Sequence, residues 1–225
     1  MVMKALTAPP NLVERVHDAL LGEIVAGRLG PGERIIQEQL ARQLGVSRQP
    51  VQQALVLLRQ QGMLREAPGR GLIVAPLQPD EVEHMYEVRA VLEGLACRLA
   101  AERAPERAAR QGPAVIDAGR KAVASGQVAR MATADMRFHE FVYELAANPL
   151  IATTMATHWM AMQRLMGEVL TRDETPRDIW DQHEAILAAI ATGDASKAEA
   201  LARRHIMQAA EYLVARLRAG GPATA

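Results

Sequence analysis

Two prolines three residues apart, Pro76 and Pro79, constrain this chain more than any other feature, since neither can lie inside a helix without removing a backbone hydrogen bond. They divide the 225 residues into parts of different character. Upstream, Gly, Pro and β-branched residues are concentrated; downstream, the chain is rich in Ala, Leu, Met, Glu and Arg. Each part is long enough to enclose its own core. The net charge of zero conceals a matching split, with 9 Lys+Arg against 6 Asp+Glu in residues 1–76 and 17 against 20 in residues 77–225. A basic front and an acidic back predict two modules with different partners. The expected division is a flexible tail over 1–9, a first domain over 10–76, a linker over 77–80 and a second domain over 81–219. A single cysteine, Cys97, leaves no internal disulfide and fits a reducing cytoplasm. No apolar run approaches the ~20 residues of a membrane span, and no signal-peptide apolar core is seen at the N-terminus.

In the front part, Val13, Val16, Leu20 and Ile24 keep a helical period that stops near Gly27. Leu29-Gly30-Pro31-Gly32-Glu33 reads as a loop, and Ile36–Leu44 as a short helix ended by Gly45. Ser47 is placed to cap a third helix that buries Val51, Leu55 and Leu58, with Pro50 tolerated in its first turn. Met63–Glu66 and Gly71–Ala75, joined by Ala67-Pro68-Gly69-Arg70, predict a hairpin. Three helices followed by a hairpin make a winged helix-turn-helix. Gly45 permits its tight turn, Val46 fills the space between the helices, and the third helix points its N-terminus into the major groove of DNA. Arg48, Gln49, Gln52 and Gln53 would there reach phosphates or base edges, Arg pairing with guanine and Gln with adenine. Ser47 and Arg34 join them as candidate DNA contacts, and Arg70 at the hairpin tip is placed to enter the minor groove. The competing reading is an ordinary three-helix core with a solvated polar face.

Downstream of Pro79 no strand is expected. Helices are predicted over 80–103, 105–124, 129–147, 149–171, 175–191 and 194–219, with Gly112-Pro113 kinking or splitting the second. Connections this short favour an antiparallel all-α bundle. Met131, Asp135, Phe138 and Val142 share one face, and His139 follows Asp135 by one turn. Ile179, His183, Ile186, Leu187 and Ile190 trace a second apolar face; Ala198, Leu201, His205, Ala209 and Tyr212 trace a third. His183 lies 10 residues before Gly193 and His205 12 after it, so an antiparallel pair holds them at similar depth. Burying such polar groups unpaired would cost roughly a few kcal/mol each. One divalent ion would satisfy Asp135, His139, His183 and His205 together, zinc first, with nickel, manganese or iron as alternatives. A hydrogen-bonded structural network is the other reading. His17, His84 and His158 read as structural or surface residues, and Met155, Met160, Met162 and Met166 as packing.

The run Pro31-Gly32-Glu33, Leu40-Ala41, Leu44-Gly45-Val46-Ser47-Arg48-Gln49-Pro50-Val51-Gln52-Gln53-Ala54-Leu55, Gly62 and Gly69-Arg70-Gly71 resembles the DNA-binding domain of the GntR superfamily. The resemblance implies a dimeric bacterial transcription regulator, with Arg48 at the position of a DNA-contacting arginine and Gly69–Gly71 at the wing tip. One departure stands out. The family usually reads Pro-Val-Arg-Glu-Ala-Leu, and Gln52 and Gln53 replace that Arg and Glu, which removes one cationic DNA contact and alters the expected operator preference. Downstream, Glu87 to Glu93, Asp135 to His139, Asn148-Pro149, His183 to Ile186, and Gly193 through His205 resemble the all-helical FCD domain of the same superfamily. That resemblance implies metal ligation by Asp135, His139, His183 and His205, and binding of a small organic acid whose carboxylate completes the metal shell. Arg89 matches a family arginine beside this pocket; alternatively it is a surface partner of Glu93, one turn on.

The function expected is that of a ligand-responsive transcription regulator, a repressor that binds a palindromic operator on double-stranded DNA as a homodimer. One divalent metal per chain and a small carboxylic acid effector at Arg89, Asp135, His139, His183 and His205 would modulate it. The rival is a metal-dependent hydrolase or non-haem oxygenase using the same Asp and three His. The lack of a separate general base and the complete DNA-binding pattern weigh against that rival.

Overall fold

A computed structural model of the chain describes residues 12–156, 162, 165 and 176–220. The tail expected over 1–9, His158, Met160, Met166 and the larger part of the helix expected over 149–171 lie outside the described residues. The chain divides into two compact units between Pro76 and Leu77.

The first unit contains α1 (Leu12–Val25), β1 (Arg34–Ile35), α2 (Gln37–Leu44), α3 (Arg48–Gln60), β2 (Leu64–Glu66) and β3 (Leu72–Val74). Val16, Leu20 and Ile24 of α1 are buried, as are Val51, Ala54, Leu55 and Leu58 of α3, and the two helices pack together. Gly45 ends α2 in the left-handed region (φ 65°), and Val46 N–H donates back to the Ala41 carbonyl, so the chain turns sharply into α3. The sheet has an extra strand. β1 pairs antiparallel with β3, Arg34 opposite Ile73 and Ile35 opposite Leu72, giving the order β1-β3-β2. Two residues are too few to show alternation, so this strand leaves no periodic mark in the sequence. Ser47 occupies the N-cap position of α3 in extended conformation, but its side chain makes no capping hydrogen bond. That corrects the capping role expected of it. Its site is exposed, where water satisfies the first-turn N–H groups and the hydroxyl is not required.

The second unit is helical, with α4 (Pro79–Arg103), α5 (Pro105–Ala124), α6 (Val128–Ala146), a segment α7 (149–156), α8 (Pro176–Ala191) and α9 (Ala195–Gly220). α4 begins inside the stretch expected to be linker, because Pro79 at its first position loses only an N–H that has no helical partner. It packs on α6, α8 and α9 with one broad face that includes Val82, Tyr86, Arg89, Ala90, Glu93, Cys97 and Ala100, while Glu81, His84, Val88 and Val91 form an exposed stripe. α5 runs as one helix through Gly112 and Pro113, so of the kink or split expected there the split does not occur. Pro113 removes the bond to the Ala109 carbonyl, but α5 packs along both α6 and α8. A Cβ on Gly112 would already lie 3.4 Å from Leu187 Cδ1, so the two helices meet closely at that point. Met155 and Met162 are fully buried in the core. Among the described residues no helix is long and apolar enough to cross a membrane.

Candidate metal centre and nucleic-acid interface

Three helices of the second unit deliver the polar groups, α6 with Asp135 and His139, α8 with His183, and α9 with His205. All four are buried among apolar side chains. One ring nitrogen from each of His139, His183 and His205 lies within 4.8 Å of the others. Asp135 faces two of them, Oδ1 standing 3.6 Å from His183 Nε2 and Oδ2 3.9 Å from His139 Nε2. These gaps are too long for hydrogen bonds. His183 Nε2 and His205 Nε2 are 3.2 Å apart. Two nitrogens bound to one tetrahedral zinc at about 2.0–2.1 Å stand about 3.4 Å apart, so this pair of nitrogens is spaced much as such an ion requires.

The outer partners point the same way. His139 Nδ1 lies 3.0 Å from Glu93 Oε2, and His205 Nδ1 lies 2.7 Å from Gln182 Oε1. With both acceptors at Nδ1, the assigned tautomers place the proton there and present the lone pair at Nε2. Among the described residues His183 has no such partner, and its buried Nδ1 makes no hydrogen bond to any of them. Packing orients the ring instead, stacked 3.7 Å from Phe138 and edge-on to Trp180 at 4.8 Å. Trp180 reaches this place only because residue 119 of α5 is glycine; a Cβ there would lie 2.0 Å from the indole Cη2.

Burial pushes the His183 pKa well below its ordinary value, and burial with the nearby His139 and Arg89 brings His205 to about 3. Both are therefore neutral imidazoles, the form that ligates metals. Burial raises the Asp135 carboxyl against the opposing pull of His139 and Arg89. Burial alone would raise Glu93 too, but His139, Arg89 and Tyr143 together hold it down at about 2.

Arg89 is buried beside this cluster. It donates from Nε to Glu93 Oε1 at 3.3 Å and from its terminal nitrogen to His139 Nε2 at 3.0 Å, with the Tyr86 ring 5.3 Å away. The alternative of a surface pair with Glu93 is thus corrected, since the pair forms but does so in the core. Both residues lie on the buried face of α4 with Tyr86, Ala90 and Cys97, which takes them out of solvent. Sequence reasoning missed Glu93, Tyr143 and Gln182 as members of the site. The one usable signal was an Arg and a Glu one turn apart on a helix whose apolar residues do not keep to one face.

In the first unit, Ser47, Arg48, Gln49, Gln52 and Gln53 are exposed around the first turns of α3. Arg48 is 67% exposed and lies 3.0 Å from Glu38 of α2, a pairing the sequence reading did not anticipate. An exposed pair of this kind is worth little and yields readily to a phosphate. Arg34 donates to the Arg70 carbonyl, so it braces the turn between β2 and β3 while Arg70 itself stays exposed.

Comparison with known proteins places these features. Residues 12–74 match the GntR family of bacterial regulatory proteins, and residues 84–208 match the FCD domain. An uncharacterized HTH-type transcriptional regulator from the TAR-I ttuE-ttuC' intergenic region of Agrobacterium vitis is 36% identical over 141 residues, 60% of this chain and 81% of its own. A Paenarthrobacter nicotinovorans protein named "Probable D-xylose utilization operon transcriptional repressor" is 28% identical over 214 residues, 94% of this chain and 91% of its own. The solved structure of E. coli McbR/YncC shares the fold, with a TM-score of 0.74 at 22% identity, covering 91% of this chain and 98% of that one. These are regulators, which sets aside the hydrolase and oxygenase readings of the Asp and His cluster. The chain belongs to the GntR family of bacterial regulatory proteins, in the branch whose second domain is an FCD domain.

Proposed function

We propose that this regulator is a cytoplasmic repressor that binds a palindromic operator as a homodimer and is modulated by a small carboxylic acid at a metal centre. The observation that carries the reading is the convergence of three buried histidines with Asp135 and Arg89 in one apolar core. Asp135, His139, His183 and His205 would hold one divalent ion, zinc first. Four protein ligands leave room on a five- or six-coordinate ion for a carboxylate. An ion at His139 Nε2 would displace the Arg89 contact there and turn the guanidinium free to pair with the acid. At the operator, Arg48 and Arg70 would serve as cationic contacts, Ser47 would bond phosphate, and Gln49, Gln52 and Gln53 would face base edges. Arg34 would act through the wing, whose tip it braces. The repressor sign follows the relative named as an operon repressor.

An effector alters DNA affinity only by preferring one arrangement of the regulator over another. The coupling expected is of order 1–3 kcal/mol, about 5- to 150-fold in operator affinity. The test is titration of DNA from the neighbourhood of the protein's own gene, with and without a panel of small carboxylic acids. Wild type should respond to one acid and His139→Ala should not. An equal shift in both proteins would remove the metal centre as the sensor. In the same titration Arg48→Ala should lose about 5- to 150-fold in affinity, and unchanged binding would displace α3 as the reading helix.

A further inference from the structure

We infer that Glu93 is a positioning residue which fixes the tautomer of His139, and thereby which nitrogen faces the metal; the inference rests on the metal reading above. Glu93 is only 2% exposed, and three groups converge on its carboxylate. Oε2 takes His139 Nδ1 at 3.0 Å, while Oε1 takes the Tyr143 hydroxyl at 2.6 Å and Arg89 Nε at 3.3 Å. An ionised carboxylate only accepts, so all three neighbours approach as donors. The proton of His139 is therefore held at Nδ1. Its Nε2 presents a lone pair, which Arg89 meets as a donor and which faces Asp135.

The three histidines are held by different means. His205 relies on a neutral amide, Gln182, and His183 on ring packing against Phe138 and Trp180. Only His139 is set by a charge, and the same charge holds Arg89. An amide at position 93 could not reproduce this. Two of the three donors lie on Oε1, so the amide oxygen would settle there and its NH2 would face His139 Nδ1. The imidazole would then accept at Nδ1 and carry its proton on Nε2, which turns the Arg89 donor away and blocks coordination. Loss of such an outer partner typically weakens metal binding 10- to 100-fold.

The experiment uses full-length protein with 15N-labelled histidine, free of metal, and reads the ring nitrogens of His139 in wild type, Glu93→Gln, Glu93→Asp and Tyr143→Phe. Zinc affinity is measured on the same proteins by competition with a chelator. Wild type, Tyr143→Phe and Glu93→Asp should show Nδ1–H, whereas Glu93→Gln should show Nε2–H and bind zinc about 10- to 100-fold more weakly. A role in packing alone would not move the proton between ring nitrogens. A folded Glu93→Gln protein that keeps Nδ1–H, or that binds zinc as wild type does, would overturn the inference. Should Glu93→Gln not fold, an Nε2–H tautomer in Glu93→Asp would overturn it equally. Wild type that takes up no zinc would instead refute the metal reading, and the tautomer would still decide what Glu93 does.

Discussion

Zinc-loaded protein should melt well above protein stripped with a chelator, and in His183→Ala that difference should nearly vanish. An ion held only by the folded bundle stabilises it by about 4.1 kcal/mol when free metal is 1,000-fold above the dissociation constant. For a protein of this size each kcal/mol moves the melting temperature by about 2–4 °C. His183 is the sharpest place to test this, because it is fully buried and its Nδ1 makes no hydrogen bond to a described residue. Truncating it also opens a hole beneath Phe138 and Trp180, which lowers stability with or without metal. The informative quantity is therefore the shift produced by zinc within each protein, not the difference between proteins. Equal melting of loaded and stripped wild type, or metal retained in full by the variant, would leave a hydrogen-bonded core as the account of these residues.

How much of the site could be read beforehand depended on whether a residue sat on a helix with two distinguishable faces. Asp135 and His139 lie one turn apart on α6 among apolar residues, and His183 and His205 stand at nearly equal distances from Gly193. Spacing alone therefore put the first two on one face and the last two at a shared depth in the bundle. Glu93 and Arg89 could not be placed in this way. Val88 and Val91 sit on the exposed side of α4 and Arg89 and Glu93 on its buried side, so apolar periodicity does not tell the two sides apart, and what reads as a surface ion pair is a buried one. Tyr143 and Gln182 matter only through the atoms opposite them, Glu93 Oε1 and His205 Nδ1, and such pairings have no sequence period. In the first unit the helix-turn-helix was legible because Gly45 is needed where φ is positive. β1 was too short to show a pattern. The Ser47 hydroxyl was misjudged because position and residue type do not reveal that water competes for the same N–H groups. The split allowed for at Gly112-Pro113 does not occur for a related reason, since only the packing of α5 on α6 and α8 decides that the helix continues.

Replacing Arg89 with leucine should destabilise the second unit more than any other single change to the site that leaves the four candidate ligands intact. The guanidinium lies in the core between Glu93, His139 and the Tyr86 ring. Without it, a buried carboxylate loses its cationic partner, and breaking a buried pair from one side costs about 3–5 kcal/mol. Tyr143 and His139 still bond Glu93, which places the expected loss at the lower end of that range. Two further observations separate this cause from simple loss of packing. The double change Arg89→Leu with Glu93→Gln removes both charges, so in metal-free protein it should cost less than the sum of the two single changes. The penalty should also depend on pH. Glu93 titrates at about 2 in the folded protein against 4.5 ordinarily, so its contribution is complete above pH 4.5 and fades as the pH falls toward 2. Arg89 is one of the groups that hold this value down, so the gap between wild type and Arg89→Leu should narrow over that interval. Urea unfolding of the stripped proteins at neutral pH and at pH values spanning that interval measures it. A variant as stable as wild type, strictly additive costs, or a gap that is constant with pH would each show that Arg89 and Glu93 are not joined as a buried pair.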